Sequence, residues 1–214
     1  MKKSVLPANC KCGTTFSDEE KGWVCSRCGY RAQGTPNYIN YLGGVRSATD
    51  EHYSLQWGTE LGFLEFLRER PQAKEVMAAA RLGWNRLFSQ NRARGRSERI
   101  HVYDAACGFG GIANGIINET AAKNLDYPGT DIHSSLAIIP QKIREFHQCG
   151  LLLRWDISEP LPVEEKFDYV LCRAALHHTP DPPRAFSALC SSLQRGGLLA
   201  ISVYNINPLP RCFG

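Results

Sequence analysis

One run of residues decides the fold, and it reads His101-Val102-Tyr103-Asp104-Ala105-Ala106-Cys107-Gly108-Phe109-Gly110-Gly111. In this run a β-type stretch leads through small residues directly into the start of a helix. Glycine has no Cβ, so a ligand can approach the backbone closely at such a turn, and the helix start offers unpaired N–H groups. Dinucleotide enzymes share this geometry. The acid before the glycines, Asp104, favours a different ligand, because a carboxylate at a strand end can accept hydrogen bonds from a cationic amino group or from water.

Short β-type runs alternate with helical runs around this turn. The predicted strands cover residues 100–104, a run ending near 131, 151–155, 167–172 and 198–204, and the predicted helices cover 112–123, 136–149 and 183–194. Alternation of this kind predicts a parallel sheet with helices on both faces. The fold class is therefore α/β.

Two further carboxylates follow predicted strands. Asp131 comes 27 residues after Asp104 (131 − 104), and Asp156 follows the third strand. Asp131 is placed to accept both hydroxyls of a ribose, and Asp156 to accept an adenine amino group while Ile157 flanks the ring. An isolated acid at a strand end is more commonly a helix cap. Three acids in register favour a nucleotide-like ligand over three separate caps.

Composition sets the class of protein. The chain has 214 residues, of which 43% are hydrophobic and 21% charged, a globular balance that excludes a wholly disordered or fibrous chain. The net charge of +4 permits an anionic substrate or RNA and requires neither. No stretch approaches the roughly 18 apolar residues of a membrane span, and the N-terminus lacks a signal-peptide core. We therefore expect a soluble, cytoplasmic protein without a membrane partner.

The first 34 residues contain two close pairs of cysteines and little aliphatic core. A segment of this kind needs a cross-link to fold. Four thiolates in two short loops suit a tetrahedral structural zinc, and Gly29 is expected to take the left-handed conformation behind the metal. The alternatives are redox thiols or unrelated buried cysteines. The predicted ligands of this zinc-ribbon-like module (1–34) are Cys10, Cys12, Cys25 and Cys28.

Residues 35–98 are interpreted as a helical and aromatic connector. Its aromatic part, residues 37–58, is either a lid over the ligand or an interdomain packing surface. The polar loop that ends the connector either contacts phosphate or is simply solvated, and it holds Arg92, Arg94, Arg96 and Arg99. The remaining residues, 99–214, form the predicted core domain.

The motifs of the core resemble a known family. Residues 104–110 resemble motif I of the class I S-adenosylmethionine-dependent methyltransferases, and residues 129–134 are similar to their ribose-binding strand end. Residues 156–182 resemble the fourth-strand signature of the broad type 11 subgroup, and 193–199 match the start of its fifth strand. The resemblance covers about residues 99–205 and implies a Rossmann-like, doubly wound sheet. One departure is Ala106, which stands where the family usually has its first glycine.

The resemblance also implies a cofactor and a set of residues that bind it. The cofactor is S-adenosyl-L-methionine. The residues expected to bind it are Asp104, Ala106, Cys107, Gly108, Gly110, Asp131, Ile132, Asp156, Ile157 and Arg173.

Two histidines follow the fourth strand. His177 is the candidate general base toward a substrate hydroxyl, with His178 beside it; the alternative is that such a histidine only packs the loop and that alignment and desolvation suffice. The loop lacks the Asn/Asp-Pro-Pro-Tyr pattern of amino-adenine methyltransferases, which disfavours that target. A small-molecule acceptor fits the type 11 resemblance best, and RNA is the second interpretation, because ribosomal RNA guanine methyltransferases also place a zinc module ahead of this fold.

The resemblance also bears on the end of the chain. Resembling enzymes continue after the fifth strand with a helix and an antiparallel hairpin, whereas this sequence stops at Gly214. We interpret the core as lacking its last strands, as in a fragment; the alternative is that those strands are dispensable. A third functional hypothesis follows, a truncated module that binds without catalysing.

Overall fold

A computed structural model describes residues 9–10, 12–19, 22–35, 37–42, 51, 99–119, 125–143 and 145–204. Most of the predicted connector and lid therefore lies outside the described residues. So do three of the four arginines of the predicted loop, and the chain end after residue 204.

The described strands form one sheet. They are β1 (Phe16–Glu19), β2 (Gly22–Cys25), β3 (Arg31–Thr35), β4 (Tyr38–Asn40), β5 (Ile100–Ala105), β6 (Leu125–Asp131), β7 (Gly150–Arg154), β8 (Phe167–Arg173) and β9 (Leu193–Ser202). The described helices are α1 (Gly111–Glu119), α2 (Ile139–Lys142), α3 (Phe146–Cys149) and α4 (Pro182–Ser192), with 3₁₀ helices at Ser134–Ile138 and Leu176–His178.

The strand order confirms the predicted core. Across the sheet it is β1-β2-β3-β4-β7-β6-β5-β8-β9, and every pair from β4 to β9 is parallel. The chain winds from β5 outward to β7 and then returns to the other side of β5 to form β8 and β9. That reversal makes the sheet doubly wound, and ligands bind such sheets where the carboxyl ends of the strands meet the reversal point.

The N-terminal ribbon continues the same sheet, which the sequence did not predict. Strands β1 to β4 form an antiparallel meander, and β4 then pairs in parallel with β7. The Asn37 side chain donates a hydrogen bond of 2.6 Å to the Gly150 carbonyl at the start of β7. The cysteine module is thus attached to the edge of the core sheet.

Two apolar layers cover the sheet, one on each face. Along β5, Val102 packs in the layer that contains α1, α2 and α3, whereas its neighbour Tyr103 packs in the layer that contains α4 and the N-terminal ribbon. Side chains alternate between the faces of a strand, so each strand contributes to both layers. The predicted helices on both faces are confirmed. Among these described helices, none combines the length and apolar character needed to cross a membrane.

Proline sets where the helices begin. Pro182 opens α4, whose first turn is capped by the Asp181 side chain accepting from the Arg184 backbone N–H at 3.0 Å. The predicted single helix over 136–149 is instead a 3₁₀ helix followed by α2 and α3. Pro140 lacks the N–H that an unbroken helix needs, so a new helix starts around it.

Candidate functional site

A cleft of about 540 Å³ opens at the carboxyl ends of the parallel strands, where the strand order reverses between β5 and β8. Its lining comes from the ends of β5, β6 and β8 and from the segments that follow β5 to β9. Of the ten residues predicted to bind the cofactor, nine line this cleft, and Gly110 does not. Residues that are far apart in sequence are brought together because parallel strands end at one edge of the sheet.

The turn after β5 is left-handed at every second residue. Ala106, Gly108 and Gly110 have φ angles of 56°, 57° and 82°. A left-handed conformation costs a residue with a Cβ roughly 1–2 kcal/mol, which is a physical reason for the glycine that resembling enzymes have at position 106. At Gly110 an added Cβ would lie 2.9 Å from a methyl of Ile139, so this glycine allows the turn to pack against α2.

Asp131, at the end of β6, fixes the glycine turn in place. Its two carboxylate oxygens accept backbone N–H groups of Gly108 and Ile132, each at 2.8 Å. The buried His133 ring adds a hydrogen bond from Nε2 to the Gly108 carbonyl at 2.9 Å. A carboxylate oxygen can accept more than one hydrogen bond, and the Asp131 side chain is 11% exposed, so it can still receive ligand hydroxyls from the cleft.

Asp104, at the end of β5, is an acid whose pKa the fold shifts. It is 1% exposed and accepts a hydrogen bond from the Tyr127 hydroxyl. Burial raises the pKa of Asp104 to about 7, against the opposing effects of the Tyr127 hydrogen bond and the Arg173 charge. A cationic ligand group in the cleft would favour the ionised form of this carboxyl.

Three consecutive residues after β7, Trp155, Asp156 and Ile157, form the wall of the cleft on the β7 side. Trp155 is buried, and its indole N–H donates to the Glu159 carbonyl at 3.2 Å. One oxygen of Asp156 accepts the Ser158 backbone N–H at 2.8 Å, which closes a tight turn. The carboxylate therefore both shapes the turn and lines the cleft.

The two histidines after β8 have different positions. His178 lines the cleft, whereas His177 does not. His177 packs between His178 and Tyr204, with ring centroids 4.0 and 4.7 Å away. The pKa of His178 is lowered from its ordinary value, first by burial and then by the neighbouring His177 charge. The lowered pKa favours the neutral form of the His178 ring, which can accept a proton.

Sequence reasoning missed several aromatic residues of this site. The Tyr127 hydroxyl donates a hydrogen bond to Asp104, and Trp155 and Tyr204 line the cleft. Trp155 directly precedes Asp156, so the strand-end position was a usable signal. Tyr127 lies in a strand whose residues are all buried, and no hydrophobic alternation shows which of its side chains approach the site.

Arg99 is the member of the predicted arginine cluster that falls within the described residues. Its guanidinium makes two hydrogen bonds of 2.6 Å to the Asp126 carboxylate. Both residues lie at the amino ends of β5 and β6, at the edge of the sheet opposite the cleft. This arginine ties two strands together through a bidentate ion pair.

The four N-terminal cysteines converge on one point. Sγ atoms of Cys10 and Cys28 are 3.5 Å apart, those of Cys12 and Cys25 are 3.4 Å apart, and all four lie within 4.8 Å of one another. Cys10 and Cys12 lie at a turn with the left-handed Gly13 (φ 84°), and Cys25 and Cys28 lie at a turn with the left-handed Gly29 (φ 71°). The prediction for Gly29 is confirmed.

The donor set fits a tetrahedral metal ion. Four sulfurs about 2.3 Å from a zinc ion would be about 3.8 Å apart, close to the observed separations. Hydrogen bonds from the backbone and then the side chain of Thr14 lower the pKa of Cys12, whereas burial raises the pKa of Cys10. Both thiols would be ionised when bound to a metal. The cysteine cluster could thus hold one metal ion.

Comparison with known proteins finds matches to the core. Residues 103–199 match a family model described as a methyltransferase domain. A ubiquinone biosynthesis O-methyltransferase from Coxiella burnetii is 29% identical over 109 residues, covering 50% of this chain and 44% of that protein. A protein of the same name from Leptothrix cholodnii is 29% identical over 117 residues, covering 53% and 48%. This chain thus spans about half the length of the curated relatives it matches.

Solved structures support the same fold. The N-methyltransferase NodS from Bradyrhizobium japonicum, in complex with S-adenosyl-L-homocysteine, aligns with a TM-score of 0.52 at 15% identity, covering 72% of each chain. At this identity the likeness shows the fold. Residues 103–199 thus match a methyltransferase domain in sequence, and the curated relatives named here are methyltransferases.

Proposed function

We propose that this chain transfers the methyl group of S-adenosylmethionine to a small-molecule acceptor. The observation that carries the proposal is the convergence of Asp104, Asp131 and Asp156 on one cleft beside a left-handed glycine turn. Each carboxylate comes from the end of a different strand. Their chemistry suits the amino, ribose and adenine groups of that molecule.

The proposed binding roles follow from the surroundings of each acid. Asp104 is buried and near the charge of Arg173, and it would pair with the cationic amino group of the methionine part. Asp131 would accept the ribose hydroxyls while it holds the glycine turn. Asp156 and Ile157 would contact the adenine. When bound, S-adenosylmethionine supplies an electrophilic methyl group on a positively charged sulfur.

His178 is the residue we assign to proton removal from the acceptor. It lines the cleft, and its lowered pKa favours the neutral ring that a general base needs. The sequence favoured His177 for this role, but that ring packs behind His178 against Tyr204. Replacing His178 with alanine should therefore reduce turnover more than replacing His177, if acceptor deprotonation limits the rate.

The acceptor class is the finer part of the proposal. Support for a small molecule comes from the relatives, which are named for ubiquinone biosynthesis. The test is a methyl-transfer assay with labelled cofactor, offered total RNA in one arm and a small-metabolite extract in the other. Label in the metabolite fraction supports the proposal, whereas label in RNA replaces it with the RNA hypothesis. Cofactor binding without transfer to either arm would favour the non-catalytic module.

We propose that the cysteine cluster binds one structural zinc ion. Four cysteine ligands leave no open coordination position, so the ion would stabilise the ribbon and take no part in methyl transfer. Elemental analysis of protein purified under reducing conditions should give one zinc per chain. Protein without stoichiometric metal would contradict this, and the redox-thiol alternative would then be tested by thiol titration.

A further inference from the structure

The N-terminal ribbon, which carries the cysteines, contacts a loop that lines the cofactor cleft. The loop comprises residues 155–163, follows β7 and begins with the three cleft residues Trp155, Asp156 and Ile157. We call it the β7 loop. The N-terminal ribbon contacts both ends of this loop, and its strand β4 pairs with β7, the strand that leads into the loop.

At its start, the β7 loop is held by an aromatic contact. The buried Tyr41 ring meets the Trp155 ring edge to face at a centroid distance of 5.1 Å. On its other side Tyr41 packs against Phe16 of β1, 5.7 Å away. Edge-to-face pairs of this kind add directional stability to ordinary burial. Tyr41 is therefore a bridge between the ribbon and a residue that lines the cleft.

At its far end, the β7 loop is held by the residue next to a metal ligand. The Asn9 backbone N–H donates to the Pro162 carbonyl at 2.7 Å, and the Asn9 carbonyl accepts from the Tyr41 hydroxyl at 2.8 Å. Asn9 immediately precedes Cys10. A change in the position of Cys10 would therefore reach both ends of the loop through one residue.

The strand before the loop completes the arrangement. In β4, Tyr38 and Asn40 pair with Leu152 and Arg154, the residues that lead into Trp155. Cys10, Cys25, Phe16, Tyr41, Trp155 and Ile157 belong to one continuous buried cluster. Packed clusters of this kind transmit displacement because they have few voids to absorb it.

We infer that the metal-loaded cysteine module positions the β7 loop, so that metal binding at the cysteines strengthens cofactor binding in the cleft, with Tyr41 as the positioning residue that joins the two sites. This inference rests on the proposed function, in that it requires both zinc and an S-adenosyl ligand to bind. Because coupling between two binding sites is reciprocal, cofactor binding must strengthen metal binding by the same factor.

The experiment measures the dissociation constant of S-adenosylhomocysteine by calorimetry for the zinc-loaded and the zinc-depleted protein. We expect the dissociation constant to be at least roughly fivefold lower in the zinc-loaded form, which is the lower end of ordinary coupling between two sites. A competition titration with a chromophoric chelator should show zinc affinity raised by the same factor when the ligand is present. Equal ligand affinity with and without zinc would overturn the inference.

A second set of variants keeps the test decisive if the zinc-depleted chain does not fold. Tyr41→Leu retains all four cysteines, and it should retain zinc while binding the ligand several-fold more weakly. Tyr41→Phe keeps the ring and loses only the hydroxyl. Its affinity for the ligand should therefore fall between those of the unmodified chain and of Tyr41→Leu. Tyr30→Leu is a control, since Tyr30 also packs on Phe16, is more exposed than Tyr41 and has no ring contact with Trp155. This variant should bind the ligand as the unmodified chain does. Unchanged affinity in Tyr41→Leu would refute the bridge.

The outcomes distinguish a failure of the inference from a failure of the proposed function. If the zinc-loaded, unmodified chain fails to bind S-adenosylhomocysteine, the proposed function fails and the inference falls with it. If every form binds the ligand with one affinity, the proposed function stands and only the coupling is wrong.

Discussion

Cofactor binding should become tighter as pH rises from 6 to 8, because of Asp104. Burial raises the pKa of this carboxyl to about 7 in the ligand-free cleft. A cationic amino group binds the ionised form and not the neutral one, so ligand binding should release a proton from Asp104. Stronger binding at higher pH is therefore the expected sign.

The size of the effect follows from the ionised fraction. With a pKa of about 7, roughly one chain in eleven has Asp104 ionised at pH 6 and roughly ten in eleven at pH 8. Apparent affinity scales with the binding-competent fraction, so it should rise about tenfold between these pH values. At pH 7 each bound ligand should release about half a proton, by the same titration.

The assay is calorimetry with S-adenosylhomocysteine in two buffers of different ionisation enthalpy, which yields affinity and proton release together. The matched ligand is 5′-methylthioadenosine, which lacks the amino group and should show no such pH dependence. Asp104→Asn should bind S-adenosylhomocysteine more weakly at pH 8 and with a flat profile. An affinity that does not change from pH 6 to 8 in the unmodified chain would refute the role given to Asp104.

Three further predictions concern the metal, the ribose contact and the strained turn. Cys25→Ser should lose the zinc ion and lower the thermal midpoint, whereas Cys190→Ser, at an exposed cysteine outside the cluster, should change neither metal content by elemental analysis nor melting. Asp131→Ala should weaken S-adenosylhomocysteine binding by about 1.5–3 kcal/mol and also lower stability, because two backbone N–H groups lose their acceptor; calorimetry showing undiminished affinity would mean that the ribose lies elsewhere. Ala106→Gly should raise the unfolding free energy by about 0.5–1 kcal/mol in denaturant titration, since release of left-handed strain exceeds the entropy that glycine adds to the unfolded chain, whereas Ala105→Gly in β5 should lower it.

The parallel core was predictable because its signals are local. Each predicted strand is a short β-type run, and three of these runs end in an acid or are followed by one, so the rule that parallel strands share one carboxyl edge was enough to bring Asp104, Asp131 and Asp156 together. The cysteine cluster was predictable for a similar reason. Two short loops with paired cysteines and glycine leave few other arrangements for four thiols.

The parts that the sequence did not predict depend on contacts between distant segments. Strand β4 has three residues, too few to show alternation, and its partner β7 is more than a hundred positions away. Gly110 has the appearance of a ligand contact in sequence, but packing against α2 turns it away from the cleft. The difference between His177 and His178 is one position in a 3₁₀ helix, and only the fold determines which ring lines the cleft.

The pairing of β4 with β7 has a consequence for the order of folding during synthesis. Tyr38 pairs with Leu152, 114 positions later (152 − 38), so the ribbon leaves the ribosome long before its partner strand exists. At roughly 5–20 residues per second, this interval is on the order of ten seconds. The cysteines would have time to bind a metal ion first. During this interval the apolar side chains of β4 would remain uncovered, because β7 has not yet been synthesised. Until β7 has been synthesised, this strand edge is therefore open to chaperones or to aggregation, whether or not the cysteines hold a metal ion.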